Sequence, residues 1–569
     1  MGALSGILKL MIGAFVAVAA NHSELAAAEL AVERAVHSVP CNDMSRAKLK
    51  NGRILTATEV EGVLPEIHIA PSLGHDRKSG KLDDLPRFCR VVARLSPVPE
   101  SEILIEIWLP QKWNEKLLAI GNHGYGGEFE HGDMVDGLNR GYATVITNTG
   151  HTGRHTPESG FQGGFSVGDA RFMMENGAAV DDYAWRAVHE MAVAAKVLVK
   201  HRYGMGPRLS YFNGCSLGGR QAMREAIQFP EDFDGIISGA PAMYWTRFMA
   251  ADLRTYLLGD LGHGTRISRE KLKLAHEAVL AKCDLLDNLA DGLLADPLRC
   301  YWKPEEIQCE SGNDGADCLT AAEVAAVGGM LQPLTDPETG EWLYDGWVPG
   351  GELMWASDVG NMIELGFPTA NHYRYEVLRD PSWQPDGADI YELLKLAEAP
   401  GSPGSKINTI STDLSAYRER GGKIIQYHGW ADQAMPALWQ TRYYNEVVSR
   451  QNDEDKLAAT QSFYRLFMVP GMAHCFGGTC GPTIIGALSQ PSAHAQQPKY
   501  DILEALDMWV EKGVAPEKII ATAPKKANGL VRQMPLCPFP QVAIYHGGDV
   551  NSAESFACKA PQKNPGGRK

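Results

Sequence analysis

The chain has 569 residues, of which 44% are apolar and 8% aromatic, enough for about two to four domains around large buried cores. A formal charge of −15 and a pI near 5.6 repel phosphate backbones, and no Lys/Arg run reverses this locally, so nucleic acid is not an expected partner.

At the N-terminus, Lys9 precedes an apolar run from Leu10 to Ala20, with small residues at Ala17-Val18-Ala19. This predicts a signal peptide over residues 1–19 and an exported mature protein, a buried N-terminal helix being the alternative. The run is too short to span a bilayer, and no later segment is apolar enough to do so, hence no membrane partner is expected. Short apolar or β-branched runs follow at Ile103–Leu109, Leu117–Ile120, Ala143–Thr147, Leu209–Phe212, Gly235–Ile237, Lys423–Tyr427 and Phe463–Met468. Residues 181–203 carry a long helical period between them. The alternation predicts an α/β sheet with helices on both faces and a site in the loops beyond the C-terminal strand ends.

Those loops hold the informative residues. In chain order they are "GNHGYGG" (121–127), "TNTGH", "GCSLGG" around Ser216, "YHGWAD" ending at Asp432, and "VPGMAHC" with His474. Ser, Asp, His is the order of an α/β-hydrolase triad, and Gly214-x-Ser216-x-Gly218 has the spacing of a nucleophile elbow. The same spacing recurs at Gly164-x-Ser166-x-Gly168, but no strand precedes it, whereas "RLSYF" and "GGRQAMREAI" flank Ser216 as strand and helix. Ser216 is therefore the predicted nucleophile, His474 the base and Asp432 its orienting acid. His428 is expected to pack or hydrogen-bond at its strand end.

Eleven cysteines in an exported chain imply disulfides. Local proximity suggests Cys283–Cys300, Cys309–Cys318 and Cys537–Cys558, and Cys41–Cys89 is added to these. Cys215 precedes the predicted nucleophile and Cys475 follows the predicted base. A hydrogen bond between Ser216 and His474 would bring the two cysteines within the Cα separation of roughly 5.5 Å that a disulfide needs. Cys480 is then the expected unpaired thiol. Without paired C-x-x-C spacing, a zinc site is the weaker reading.

"GCSLGGRQ" with "GMAHC" and "HGWAD" resembles the tannase and feruloyl esterase family, which includes the hydrolase of mono(2-hydroxyethyl) terephthalate. The resemblance runs from about Cys41 to Cys558. It implies an α/β-hydrolase core in two parts, 41–242 and 416–560, with a lid inserted at 243–415. It also implies a Cys215–Cys475 disulfide and hydrolysis of a small aromatic ester, of feruloyl, galloyl or terephthalate half-ester type. The inserted region holds Trp245, Trp302, Trp342, Trp347, Trp355 and Trp383, most of them expected in a satellite core and some in an acyl pocket. Within it, Asp284, Asp287 and Asp291 crowd together with no basic residue between them, either as a solvated acidic loop or as oxygen ligands to a hard cation. The resemblance identifies this stretch with the family's structural calcium loop, adding the carbonyls of Leu289 and Leu293. The expected oxyanion donors are the N–H groups of Leu217 and Gly124, with Gly126 as the alternative in a loop that has His123 where the family has glycine. Arg374 and Met435 are candidate substrate contacts. A serine peptidase and a noncatalytic binding protein on the same fold are the rival functions, and nothing in the sequence sets the oligomeric state.

Overall fold

The computed structural model describes residues 38–65, 81–153, 168–262, 265–311, 313–356, 367–479, 481–488, 490, 497–523 and 531–560. The predicted signal segment, Ser166 and Cys480 lie outside them. Nine strands form the central sheet: β1 (Gly52–Pro65), β2 (Lys81–Leu95), β3 (Ile103–Pro110), β4 (Lys116–Ile120), β5 (Ala143–Thr147), β6 (Leu209–Cys215), β7 (Gly235–Gly239), β8 (Lys423–Gly429) and β9 (Tyr464–Val469). Their order is β1-β2-β3-β5-β4-β6-β7-β8-β9. From β1 to β5 the neighbours run antiparallel, and from β5 through β9 they run parallel.

The seven predicted strands are present. The hairpin β1–β2 was not predicted; it adds two long strands at one edge, and Cys89 on β2 is bonded to Cys41. The predicted long helix starts with a π turn at Asp182–Arg186 and continues as α1 (Ala187–Tyr203). Alternation within the parallel strands fills both faces of the sheet. Phe212, Ile236, Ile424 and Leu466 join one core cluster with Met191 and Leu198 of α1. Their neighbours Tyr211, Ile237, Ile425 and Phe467 join a second, with Leu503, Leu506 and Trp509 of a helix on the opposite face. Strands buried on both faces are what a parallel sheet covered by helices requires.

Residues 240–422 are inserted between β7 and β8. They have a core of their own, in which Trp302, Trp347 and Trp355 pack with Leu272, Val279 and Val327. Beyond β9, two hairpins pair Ile519–Thr522 with Gln533–Leu536 and Val542–Tyr545 with Phe556–Lys559, outside the central sheet. Five disulfides are formed, Cys41–Cys89, Cys215–Cys475, Cys283–Cys300, Cys309–Cys318 and Cys537–Cys558. No helix among the described residues is long and apolar enough to cross a membrane.

Candidate active site

β6 delivers Cys215 to the C-terminal edge of the sheet, and Ser216 turns the chain into α2 (Leu217–Gln228) with φ 63° and ψ −119°. A non-glycine residue in such a conformation costs about 1–3 kcal/mol and persists only where its surroundings hold it. Here the Ser216 N–H donates to the Gly239 carbonyl (3.0 Å), and its own carbonyl accepts from Arg220 (3.0 Å) and Ala242 (3.2 Å). The flanking glycines are needed because strand and helix nearly touch: a Cβ on Gly214 would sit 2.5 Å from the Gly218 carbonyl carbon. Leu217, the first residue of α2, presents an N–H that the helix itself leaves without a partner.

The loop after β4 lies against this turn. The Asn122 N–H donates to Gln221 Oε1 (3.0 Å), Gln221 Nε2 returns a bond to Asn122 Oδ1 (3.2 Å), and the Gly218 N–H donates to the Asn122 carbonyl (2.8 Å). The loop's other donors can be followed one by one. The Gly121 N–H goes to the Asn213 carbonyl, His123 to Glu130, Gly126 to the His123 carbonyl and Gly127 to the Asn148 carbonyl. Gly126, the alternative oxyanion donor, is thus committed to a turn. Gly124 and Tyr125 are the loop residues whose N–H groups are not taken up by these bonds.

β8 and β9 bring the acid and the base. His474 Nδ1 lies 2.9 Å from Asp432 Oδ2, and the other carboxylate oxygen of Asp432 accepts the N–H groups of Ala434 (2.8 Å) and Met435 (2.9 Å). Asp432 is fully buried and His474 is 21% exposed on its side chain. Burial alone would push the Asp432 carboxyl up, yet His474, His428 and the Met435 N–H together hold it below its ordinary value. His428 donates from Nε2 to the Met435 carbonyl (3.0 Å) and stands 3.6 Å from Asp432, and burial lowers its own pKa. It buttresses the acid loop as expected. The two loops approach so closely that a Cβ on Gly429 would fall 2.2 Å from the Met472 carbonyl oxygen. Across the site, Cys215–Cys475 joins the residue before Ser216 to the residue after His474, with 5.9 Å between their Cα atoms.

Met435 is buried; its N–H donates to Asp432 and its carbonyl accepts from His428. Arg374 donates from Nε to the Trp383 carbonyl (3.0 Å). In the acidic loop, Asp284 accepts the N–H groups of Asp291 and Gly292, Asp287 that of Leu289, and Asp291 that of Leu293. Asp287 Oδ2 is buried with no hydrogen-bond partner, and burial followed by the Asp291 and Asp284 charges pushes its carboxyl up to about 7. An oxygen-ligated cation would relieve both conditions. One basic group invisible in the local sequence also reaches the loop: Arg532 from the C-terminal hairpins pairs with Asp291.

Two features were not read from the sequence. Glu376, in the insertion, accepts from the Tyr125 hydroxyl (3.1 Å) and from Trp245 Nε1 (3.1 Å), and lies 2.9 Å from His372 Nδ1. It therefore ties the glycine-rich loop to the insertion, while Trp245 packs edge-on to Tyr125 at 5.1 Å. Residues 251 apart in sequence give no local signal of such a contact. A cavity of about 860 Å³ lies elsewhere, between the insertion and the C-terminal hairpins; its walls include Trp302, Trp347, Trp430 and Phe539 but no triad residue.

A family model described as tannase and feruloyl esterase matches residues 89–559. An uncharacterised esterase of Xanthomonas campestris is 35% identical over 564 residues, covering 94% of this chain and 93% of that protein. Feruloyl esterase C of Talaromyces stipitatus is 32% identical over 482 residues, covering 83% and 86%. The crystal structure of feruloyl esterase B from Aspergillus oryzae superposes with a TM-score of 0.80 at 28% identity, covering 91% of this chain and all of that one. Tannin acyl hydrolase from Aspergillus niger shares the fold, with a TM-score of 0.69 at 21% identity.

Proposed function

This chain belongs to the tannase and feruloyl esterase family and is a carboxylic ester hydrolase, and from that premise we propose that it cleaves esters of aromatic acids through an acyl-enzyme on Ser216. Ser216 attacks the ester carbonyl while His474 takes its proton and Asp432 holds the imidazole in the required tautomer. His474 then protonates the departing alkoxide. Water, deprotonated by the same ring, releases the acid. The N–H groups of Leu217 and Gly124 receive the oxyanion, and the Ser216–His474 hydrogen bond is made when substrate fills the site. The observation that carries this reading is the Asp432–His474 bond, on a turn that Cys475 ties to the residue before Ser216.

The insertion acts as the lid, its Trp245 packed edge-on against Tyr125 of the glycine-rich loop, with Arg374 and Met435 retained as candidate substrate contacts. Asp284, Asp287 and Asp291, with the Leu289 and Leu293 carbonyls, hold a structural calcium ion, whose chemistry is to bind hard oxygen ligands and fix the loop. The unpartnered Asp287 oxygen supports this. Five disulfides support export to an oxidising compartment. The test is a panel of methyl ferulate, methyl gallate, a terephthalate monoester and a peptide anilide. Turnover of at least one aromatic ester and none of the anilide is expected; turnover of the peptide alone would overturn the reading.

A further inference from the structure

Glu225 stands in the last turn of α2, at the end remote from Ser216, and the ester hydrolysis proposed above does not use it. The residue is 1% exposed, no donor reaches either carboxylate oxygen, and the one side chain within hydrogen-bonding reach is another carboxyl, Asp232. An ionised carboxylate in that state is among the costliest groups a protein interior can hold, so something must neutralise it. Neither neighbouring cation bonds to it: Arg224 donates to the carbonyls of Lys406, Ile407 and Asn408, and Lys196 donates to the Glu231 carbonyl (3.1 Å) and stands 3.9 Å from Asp232 Oδ1.

What faces Glu225 instead is a ligand set. Asp232, in the loop between α2 and β7, is buried, and its Oδ2 lies 2.6 Å from His189 Nδ1 on α1. One ligand atom from each of His189, Glu225 and Asp232 lies within 4.8 Å of the other two, the one such trio among the described residues. Donors around a single ion at about 2.0–2.2 Å lie within roughly 4.4 Å of one another, close to this spacing. Phe229 stacks on the His189 ring at 4.0 Å and fixes its orientation. The His189 side chain is 30% exposed, which leaves a way in from solvent.

We infer that His189, Glu225 and Asp232 form a site for a divalent transition ion of the zinc type, one imidazole and two carboxylates with water completing the shell, stapling α1 to the end of α2. Glu225 lies nine positions along the helix from Ser216, roughly 13 Å along the axis, so the ion supports the fold and stays clear of the reacting atoms. Binding at Nδ1 takes the place of the hydrogen bond between His189 and Asp232.

The experiment strips the full-length enzyme with chelator, restores calcium to satisfy the acidic loop, and titrates zinc chloride alone, reading stoichiometry by calorimetry and stability by thermal melting. One zinc per chain, a higher Tm and unchanged ester hydrolysis are expected. Glu225→Gln keeps the side-chain volume and His189→Ala alters a part-exposed residue; each should weaken zinc binding at least about tenfold. Zinc binding that survives both substitutions unchanged overturns the site. So does an absence of zinc binding, and if Glu225→Gln then raises the Tm, a proton shared by Glu225 and Asp232 is the neutralising group instead.

Discussion

Replacing both Cys215 and Cys475 with alanine separates the two roles of their disulfide. The bond closes a loop of 260 residues. In the chain-entropy treatment, constraining the unfolded chain over that length stabilises the fold by about 5 to 6 kcal/mol at 25 °C, as an upper figure. Unfolding entropy near 2.1 cal/mol/K per residue gives about 1 kcal/mol/K for roughly 500 ordered residues, so the melting temperature should fall by about 5 °C. The second role is positional. The bond holds the backbone beside both Ser216 and His474, and a displacement of about 1 Å between reacting groups costs on the order of a hundredfold in rate. Initial rates on a p-nitrophenyl ester, measured at least 20 °C below the variant's own Tm (roughly a fully folded population), isolate that loss from unfolding. A large drop in kcat under those conditions is expected. Full activity in the folded variant would refute the positional role, and a free Cys215 thiol in active wild-type enzyme would refute the bond itself.

Glu106 sets an acid limit on stability: although burial opposes ionisation, His131 and Arg90 hold its carboxyl down to about 2, against an ordinary 4.5. Because the native value lies below the unfolded one, this contribution is complete above about pH 4.5 and is lost as the pH falls toward 2, a gap of roughly 3 kcal/mol. Glu106→Gln should flatten the Tm profile over that window, and an unchanged slope would exclude Glu106 as its cause. Calcium is expected at one ion per chain, absent from Asp287→Asn; chelation should lower Tm more than initial kcat, since an ion at a hundredfold excess over Kd stabilises by about 2.7 kcal/mol. Metal analysis finding no calcium in the wild type removes that site. Glu376→Leu should lower kcat by about 10- to 100-fold with little change in KM, because Tyr125 loses its hydrogen-bond acceptor beside the proposed oxyanion donor Gly124; unchanged kcat would show that the contact does not position the loop.

The seven inner strands were legible because each is a short apolar run ended by Gly, Pro or Asn, and their loops could be read in order as a hydrolase edge. β1 and β2 were not. They carry the exposed Glu59, Glu61 and Arg87 and the half-buried Arg90, so the apolar half of the alternation is diluted in the sequence. Asp432 and His474 could be found because each follows its own strand end, whereas Glu376 reaches Tyr125 only through the folded insertion. Arg532 at the acidic loop is hidden for the same reason, 241 residues from Asp291. Glu225 reads in sequence as one more polar residue of an amphipathic helix. Only burial without a partner marks it out.

The central claim is that Ser216 is the nucleophile of a serine esterase. Incubating the enzyme with a fluorophosphonate, which reacts with activated serines, and mapping the adduct by peptide mass spectrometry tests it most directly. One adduct per chain on Ser216 is expected, stoichiometric with loss of activity, with none on Ser166 and a labelling rate that collapses in His474→Ala. An adduct on Ser166, or full hydrolytic activity in Ser216→Ala, would contradict it.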